Sequence, residues 1–391
     1  MMQRKTEKLK KKGGKLKKTA TPPMVKLATM LFPDEAEREL FIEAILEGQS
    51  REKAILVIEE RPEIRTFPRV SAAPWQPEFV IRLQETFKPA QHPLYARGSY
   101  YSLDFSSVFA ASAMMAIPEA PKTILDLCSS PGGKGIFAWR MFQPEALICN
   151  ETMRNRTESL INNLHRCKIE RSQVWVADPR VYAKKFPATF DFIIVDAPCS
   201  GQSMIAKGDK AVGAFTNSMV DMNHSRQRRI TGNAINALKP GGHLLYMTCT
   251  YSYKENEKIL EWMLDEYPFM EAVPVPHLAA YQSEYTQFPC YRLFPQQGMG
   301  AGAFTCLLRR TDVATTEPVD LSTLPPFWAY GDALPFTPKA PAPHEEAEKE
   351  KPPKNRPNPR PAKPKFKPRT GPPKPGGRRG RSRNQSKRPG R

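Results

Sequence analysis

Two cysteines in this chain each close an apolar run that reads as a buried strand. Cys199 lies in "DFIIVDAPCSG" (191–201), three residues after Asp196. Cys249 lies in "LLYMTCTYS" (244–252). A carboxylate and thiols presented at strand ends suit covalent chemistry on an electron-poor ring. The C5 carbon of a pyrimidine is not nucleophilic. A thiolate that adds at C6 makes the ring enamine-like, so that C5 can take an electrophilic methyl group. A base then removes the C5 proton and the thiol leaves. A carboxyl group beside the ring, such as Asp196, can hydrogen-bond N3 and the exocyclic amine and stabilise the charge that develops. The attacking thiol needs a lowered pKa, and a nearby cation such as Lys134 would help. Two other readings stay open at this level. Free cysteine is among the most buried residue types, so either thiol suits a core. Zinc would need a C-x-x-C or Cys/His spacing, and none is present.

A third strand end, "LDLCSSPGGKG" (125–135), carries Gly132 and Gly133, which allow a ligand close to the backbone. The dinucleotide fingerprint G-x-G-x-x-G is absent. A phosphate-binding P-loop is ruled out because position 128 is Cys and position 135 is Gly. The next strand ends at Asn150-Glu151, an acid suited to a ribose diol. The one after it ends at Asp178, suited to the exocyclic amine of an adenine. One glycine turn and three successive acids fit a nucleoside without phosphates, and S-adenosylmethionine (SAM) is such a ligand. Each acid alone has a plainer use, since a strand-terminal Asp often caps the next helix.

These positions need a scaffold, and the region 123–310 supplies one. Short apolar strands ("TILDLC", "ALICN", "QVWVAD", "FDFIIVDAP", "GGHLLYMTC", "GAFTCLLRR") alternate with amphipathic stretches ("GKGIFAWRMF", "RTESLINNLHRC", "HSRQRRITGNAINAL", "KENEKILEWMLDEY"). That alternation predicts a doubly wound, mostly parallel α/β sheet, whose ligands sit at the carboxyl ends of the strands. Residues 24–95 read as a small, mostly helical unit. One helix is expected in "FPDEAERELFIEAILEG", with Leu40, Phe41, Ala44 and Ile45 on one apolar face, Asp34 and Glu35 in its first turn and Gly48 at its end. A second is expected from Arg51 to Glu60, stopped by Pro62.

The chain has 391 residues and 40% hydrophobic content, enough for a sizeable core. No apolar run approaches the ~20 residues that span a bilayer. The basic N-terminus has no apolar stretch behind it, so no secretory signal is expected. Seven scattered cysteines argue against a disulfide framework and for a reducing cytoplasm. The formal charge of +19 is uneven: residues 1–20 hold +8 and residues 351–391 hold +16, which leaves −5 on residues 21–350. The organisation expected is a basic arm (1–23), the N-terminal unit (24–95), a main domain (96–310), a linker (311–350) and a Pro/Lys/Arg-rich tail (351–391). Within the linker, "PPFWAYGDALPF" (325–336) is an aromatic patch suited to docking. Charge blocks of this kind suit phosphate-rich polymers, because neutralised phosphates release counterions.

Taken together, "LDLCSSPGGKG", "NE" with Arg156 following, "DFIIVDAPCSG", "LKPGGHLLYMTCTYSYKENE" and "RLFPQQGMGAGAF" resemble the Nop/Sun family of RNA cytosine-5 methyltransferases, nearest to its bacterial rRNA-modifying members. The resemblance spans roughly residues 92–310. It implies a Rossmann-like, SAM-dependent enzyme that forms 5-methylcytosine in RNA, with ribosomal RNA as the first expectation and transfer RNA as the other. It implies Cys249 as the nucleophile, Cys199 in product release and Asp196 in orienting the base. It places the cofactor along Cys128, Ser129, Ser130, Pro131, Gly132, Gly133 and Lys134, with Glu151, Arg156, Asp178 and Asp196. No metal and no membrane partner are implied. The chain departs from the family's "AAPGGKT" with "SSPGGKG", so Gly135 removes a hydroxyl. A scaffold that only binds RNA during ribosome assembly is the competing reading, but such a scaffold needs neither thiol. A DNA methyltransferase would use Cys199 and leave "TCT" (248–250) without a purpose. Oligomeric state is not legible.

Overall fold

A computed structural model describes residues 19–331, apart from 49, 51, 314–318 and 320. The tail at 351–391, the arm up to residue 18 and most of the 311–350 linker lie outside the described residues.

The core of the fold is a sheet with strand order β10-β11-β8-β7-β4-β5-β6-β12, with β9 (Met270–Val273) also paired to β11. Its centre is parallel: β8 (Leu238–Thr248), β7 (Phe190–Asp196), β4 (Thr123–Asp126), β5 (Ala146–Asn150) and β6 (Ser172–Trp175). Such strands are covered on both faces and read as near-continuous apolar runs. "FIIV" in β7 is an example: Phe192, Ile193, Ile194 and Val195 are all fully buried. β11 (Ala303–Arg310) returns antiparallel against β8, and β10 (Tyr291–Leu293) and β9 pair with it in turn. At the other edge the aromatic patch does dock. β12 (Trp328–Tyr330) pairs antiparallel with β6 and covers an otherwise open edge.

The chain runs β4→β5→β6 outward, then returns to β7→β8 on the other side of β4. The order therefore reverses between β4 and β7, and the crevice at such a switch point is where sheets of this class bind ligands. The helices that cover the sheet are α5 (Gly133–Phe142), α6 (Arg154–Arg166), α7 (Pro179–Lys185), α9 (Asn217–Ala237) and α10 (Glu257–Glu266).

The N-terminal unit begins with α1 (Pro22–Leu31) and α2 (Glu35–Glu47). Asp34 caps α2 by accepting from the Glu37 amide at 2.9 Å, and Gly48 ends it in the left-handed region at φ 64°. Phe41 and Ile45 form its buried stripe. Leu40 does not join them; it is exposed, because it sits one residue, about a quarter-turn, off that face. The second expected helix is not formed. Residues 53–57 are a strand, β1, central in a three-stranded antiparallel sheet with β2 (Val80–Leu83) and β3 (Tyr100–Asp104). The period of two explains it. Ala54 and Leu56 enter the main core with α4 (Phe105–Ser112), while Ile55 and Val57 pack on the opposite face with Ile64, Phe67 and Tyr100. A strand buried on both faces has no polar side to give it away.

α1 and α2 are not a detached module. Their apolar stripe packs on Ala206, Ala214, Phe215, Tyr251 and Ala301. Phe41 meets the Tyr251 ring edge-on at 5.0 Å, two residues beyond Cys249.

Candidate active site

Register brings the two thiols together. Asp196 at the end of β7 pairs with Met247 in β8, so Cys199 and Cys249 leave adjacent parallel strands at nearly the same level. The Ala197 amide donates to the Met247 carbonyl (2.9 Å) and the Ser203 amide to the Cys249 carbonyl (3.2 Å). The result is a Sγ–Sγ separation of 3.3 Å between two free thiols. The hydrogen bond between the sulfurs divides them into donor and acceptor. It is the main reason that Cys249 is held below the ordinary thiol pKa, against the opposing effect of burial, with Lys207 and Ser203 assisting. The same bond, together with burial, pushes Cys199 well above that value. These opposite directions suit Cys249 as the acceptor and Cys199 as the donor of the pair.

Asp196 faces the same crevice. Lys134, in the first turn of α5, reaches across the switch point and places Nζ 2.8 Å from Asp196 Oδ2. Burial works against the charged lysine, but the Asp196 carboxylate, with Asp126 and Cys249 behind it, holds the ammonium above its usual range. Lys134 is thus an ion-pair partner of Asp196 that also feels the Cys249 sulfur, as expected of a nearby cation. Lys134 holds Asp196, and a second cation, Lys207, on the segment after α8 (Gln202–Ala206), also lowers Cys249.

The glycine turn joins β4 to α5. Gly132 takes φ +109°, and a Cβ on Gly133 would lie 3.1 Å from the Tyr101 ring. Ser129 Oγ donates to Asp126 Oδ2 at 2.9 Å. Asp126 is fully buried, and that burial raises its pKa to about 7. Arg156 braces the turn from α6: its guanidinium donates to the Ser130 carbonyl at 2.9 Å and pairs with Glu151 at 3.0 Å, while Ser130 Oγ donates to the Arg156 carbonyl. Glu151 also accepts from the Met153 amide at 2.9 Å. Asn150, named in the sequence only as the residue before Glu151, is the buried clamp between strand ends. Its amide donates to the Leu127 and Ala177 carbonyls, and its oxygen accepts from Tyr182 and the Ala177 amide. Burial raises the Cys128 thiol, which fits a contact role rather than a nucleophile.

Asp178 takes its plainer use: it caps α7 by accepting from the Arg180 amide at 3.0 Å. It also pairs with Arg180 and Arg229, and those bonds hold its pKa low. It remains at a strand end beside the turn, with partly exposed oxygens.

One residue that joins the two thiol loops was missed. Glu255 is fully buried and accepts from the Ser200 amide (2.8 Å), Ser200 Oγ (2.5 Å) and Gln227 Nε2 (3.1 Å), with Thr250 Oγ1 at 3.5 Å. Ser200 follows Cys199 and Thr250 follows Cys249, so one carboxyl fixes both loops. Burial raises its pKa. Its only trace in the sequence is an acid in "YKENE", where acids are common. The adjoining Glu257 is buried in an ion pair with Arg292, which also donates to the Tyr251 carbonyl.

Residues 113–309 match the family model described as 16S rRNA methyltransferase RsmB/F. The chain belongs to that family. The match covers half of the chain and contains every candidate site residue. Among named relatives, ribosomal RNA small subunit methyltransferase F of Cronobacter sakazakii is 31% identical over 281 residues, covering 69% of this chain and 56% of its own length. The protein of the same name from Escherichia coli O9:H4 is 32% identical over 244 residues, covering 62% and 50%. The chain spans about half the length of these relatives. Two solved structures from Pyrococcus horikoshii share the fold. A methyltransferase homolog protein has a TM-score of 0.58 at 20% identity, covering 74% of this chain and all of that one. NSun6 with SFG has a TM-score of 0.63 at 16% identity, covering 75% and 99%. Within the RsmB/F family frame, the glycine turn, the Asp196 strand end and the paired thiols fall on one crevice. Among the described residues there is no cluster of potential metal ligands, and no helix is long and apolar enough to cross a membrane.

Proposed function

We propose that the chain is a SAM-dependent RNA methyltransferase that forms 5-methylcytosine in small-subunit ribosomal RNA. The observation that carries this is the pair of free thiols 3.3 Å apart at adjacent strand ends, beside a lysine-held Asp196. A core-filling role asks for no ion pair beside the thiols, and an RNA-binding scaffold has no use for the pair.

The residues around the turn fit the cofactor. A Cβ at Gly133 would crowd the Tyr101 ring, the turn's backbone is braced by Arg156, and carboxylates at Glu151 and Asp178 stand at the next two strand ends to accept hydrogens from hydroxyls and an amine. When bound, SAM supplies an electrophilic methyl group at C5 of the cytosine. The Cys249 thiolate forms a bond to C6, and the displaced C5–C6 electron pair makes C5 nucleophilic. Asp196, held by Lys134, hydrogen-bonds the N3/amine edge as charge develops there. After methylation a solvent water accepts the C5 proton. The C5–H electron pair restores the double bond and expels Cys249 as a thiolate, and a hydrogen bond from Cys199 stabilises the departing sulfur and regenerates the starting pair. The target must be unpaired or flipped, since C6 is not reachable in a stacked helix. The Lys/Arg-rich ends of the chain supply salt-sensitive, sequence-blind affinity for RNA. A cytoplasmic location follows from this substrate and from the free thiols.

The test is transfer of labelled methyl from SAM to small-subunit RNA. Wild type is expected to methylate it, and bisulfite sequencing locates the cytosine. Cys249→Ala is expected to be inactive. Cys199→Ala is expected to accumulate a covalent protein–RNA adduct that shifts on a denaturing gel. An adduct formed by Cys249→Ala instead reverses the two roles, and a wild-type chain that methylates no RNA removes the proposal.

A further inference from the structure

Two depressions share a wall at Tyr253 and Lys254, a few residues beyond Cys249 in the chain. The first has a volume of about 800 Å³ and an apolar floor that includes Leu27, Met30, Phe215 and Val220. Its walls come from both thiol loops: Gln202 stands three residues after Cys199, and Ser252 three after Cys249. This size and character suit a small organic group such as a nucleobase. The second, about 380 Å³, lies between α9 and α10 and is lined by His224, Arg228, Tyr253, Lys254, Lys258 and Trp262. It alternates cations with aromatic rings and includes no acid. The Arg228 guanidinium sits 4.6 Å from the Trp262 ring centre and the Lys258 ammonium 5.4 Å from that of Tyr253. Asp221 pairs with Lys254 and Glu261 with Lys258 at the rim, both at the surface. Among the described residues Arg228 has no acidic partner.

We propose that these depressions form one track for single-stranded RNA next to the target cytosine, which rests on the RNA-methyltransferase reading above. A cationic groove interleaved with aromatic platforms is how proteins hold unpaired strands: phosphates meet the cations, and bases stack on the rings. The position supports the same occupant. A base extruded to Cys249 carries its neighbours with it, and the first depression is built in part from the residues just after each thiol. The residues from 21 to 350 carry −5 overall, so a cation-lined groove on them is a local feature and not a general basic surface. The apolar first depression receives an unstacked neighbouring base, and the second receives the continuing strand.

The experiment uses the full chain, small-subunit ribosomal RNA and labelled SAM. Arg228→Ala combined with Lys258→Ala changes two exposed side chains, and an unchanged melting curve confirms folding. The expected result is a severalfold rise in KM for RNA. The slope of log affinity against log salt should become shallower by about 1.4, at roughly 0.7 for each single-strand phosphate that is no longer neutralised. Arg228→Lys with Lys258→Arg keeps both charges and is expected to restore that slope. RNA carrying 4-thiouridine beside the methylated cytosine is expected to photocrosslink to the peptides that contain Tyr253 or Trp262. An unchanged KM and slope, or crosslinks confined to other surfaces, overturns the track while wild-type methylation leaves the enzyme assignment standing. A defect seen on assembled particles but not on naked RNA makes the face a protein contact and also overturns it. Failure of the wild type to methylate any RNA removes both proposals.

Discussion

Removing the Cys199 thiol should raise the pH at which Cys249 becomes reactive, with no RNA present. The two sulfurs are 3.3 Å apart, and the bond from Cys199 is the first cause of the low Cys249 pKa. A hydrogen bond to a charged group contributes about 1.5–3 kcal/mol, and sulfur is a weak donor, so the lower end applies. About 1.4 kcal/mol is a factor of ten in an equilibrium. Cys199→Ala should therefore cut the thiolate population of Cys249, and its alkylation rate near neutral pH, by about tenfold. The sign follows from the state that is stabilised: the bond favours the thiolate, so its loss moves the alkylation profile to higher pH. The assay is iodoacetamide labelling across pH, with each cysteine quantified by mass spectrometry. The other five thiols give a quiet background, because Cys149, Cys167, Cys290 and Cys306 are buried and their pKa values, like that of partly buried Cys128, are raised. The same variant should still accumulate the RNA adduct, more slowly, because it loses the release step as well as the activation. An unchanged Cys249 profile in Cys199→Ala would refute this account of the pair. So would wild-type labelling that strikes Cys199 first.

Glu255→Ala leaves the Ser200 and Gln227 donors unpaired in the interior, at about 1–3 kcal/mol each, so a fall in Tm of roughly 5 °C or more is expected, with loss of kcat as the thiols lose register. Glu255→Gln keeps most of the hydrogen bonds. Burial raises the Glu255 pKa, so its contribution to stability is greatest in acid and declines as pH rises past the folded value; the Gln variant should lack that decline in urea titrations across pH. Phe41→Ala, at a fully buried position against Tyr251, should cost about 3–5 kcal/mol. Its effect should reach methyl transfer even though Phe41 touches no reacting group, and a variant destabilised by that amount with unchanged kcat in its folded fraction would separate the N-terminal helices from the site.

The central fold was legible because a parallel sheet writes itself plainly. Runs such as "FDFIIV" admit no exposed face, and the acids and glycines that follow them stand where the strand order reverses. The strand at 53–57 was not legible for the same reason in another setting. "KAILV" is buried on both faces and flanked by charges, which imitates a short helix. Leu40 misled because a pattern of apolar residues marks a stripe only to within a residue. In the site, the thiols and Asp196 stood out by type and spacing. Glu255 did not, because its importance lies in joining residues 200 and 250, and a long-range hydrogen-bond pattern leaves no periodic mark. Lys207 was hidden likewise: its effect on Cys249 depends on how the segment after α8 folds back.

The placement of those hidden residues explains why the N-terminal unit is attached where it is. A thiolate 3.3 Å from a thiol is useful only while both loops keep their spacing, and neither loop is a regular element that could hold itself. Glu255 fastens them from inside the sheet, and Arg292 with Glu257 fixes the Tyr251 carbonyl from below. On the outer side Phe41, Phe32 and Phe294 close on Tyr251, and the Ser50 amide donates to the Ala206 carbonyl at the end of α8. The loops are thus gripped between a buried carboxyl and an aromatic cluster supplied in part by a segment far away in sequence. Misplacing reacting groups by about 1 Å can cost a factor near a hundred in rate. A catalytic pair carried on loops needs this grip, and α1 and α2 provide its outer half.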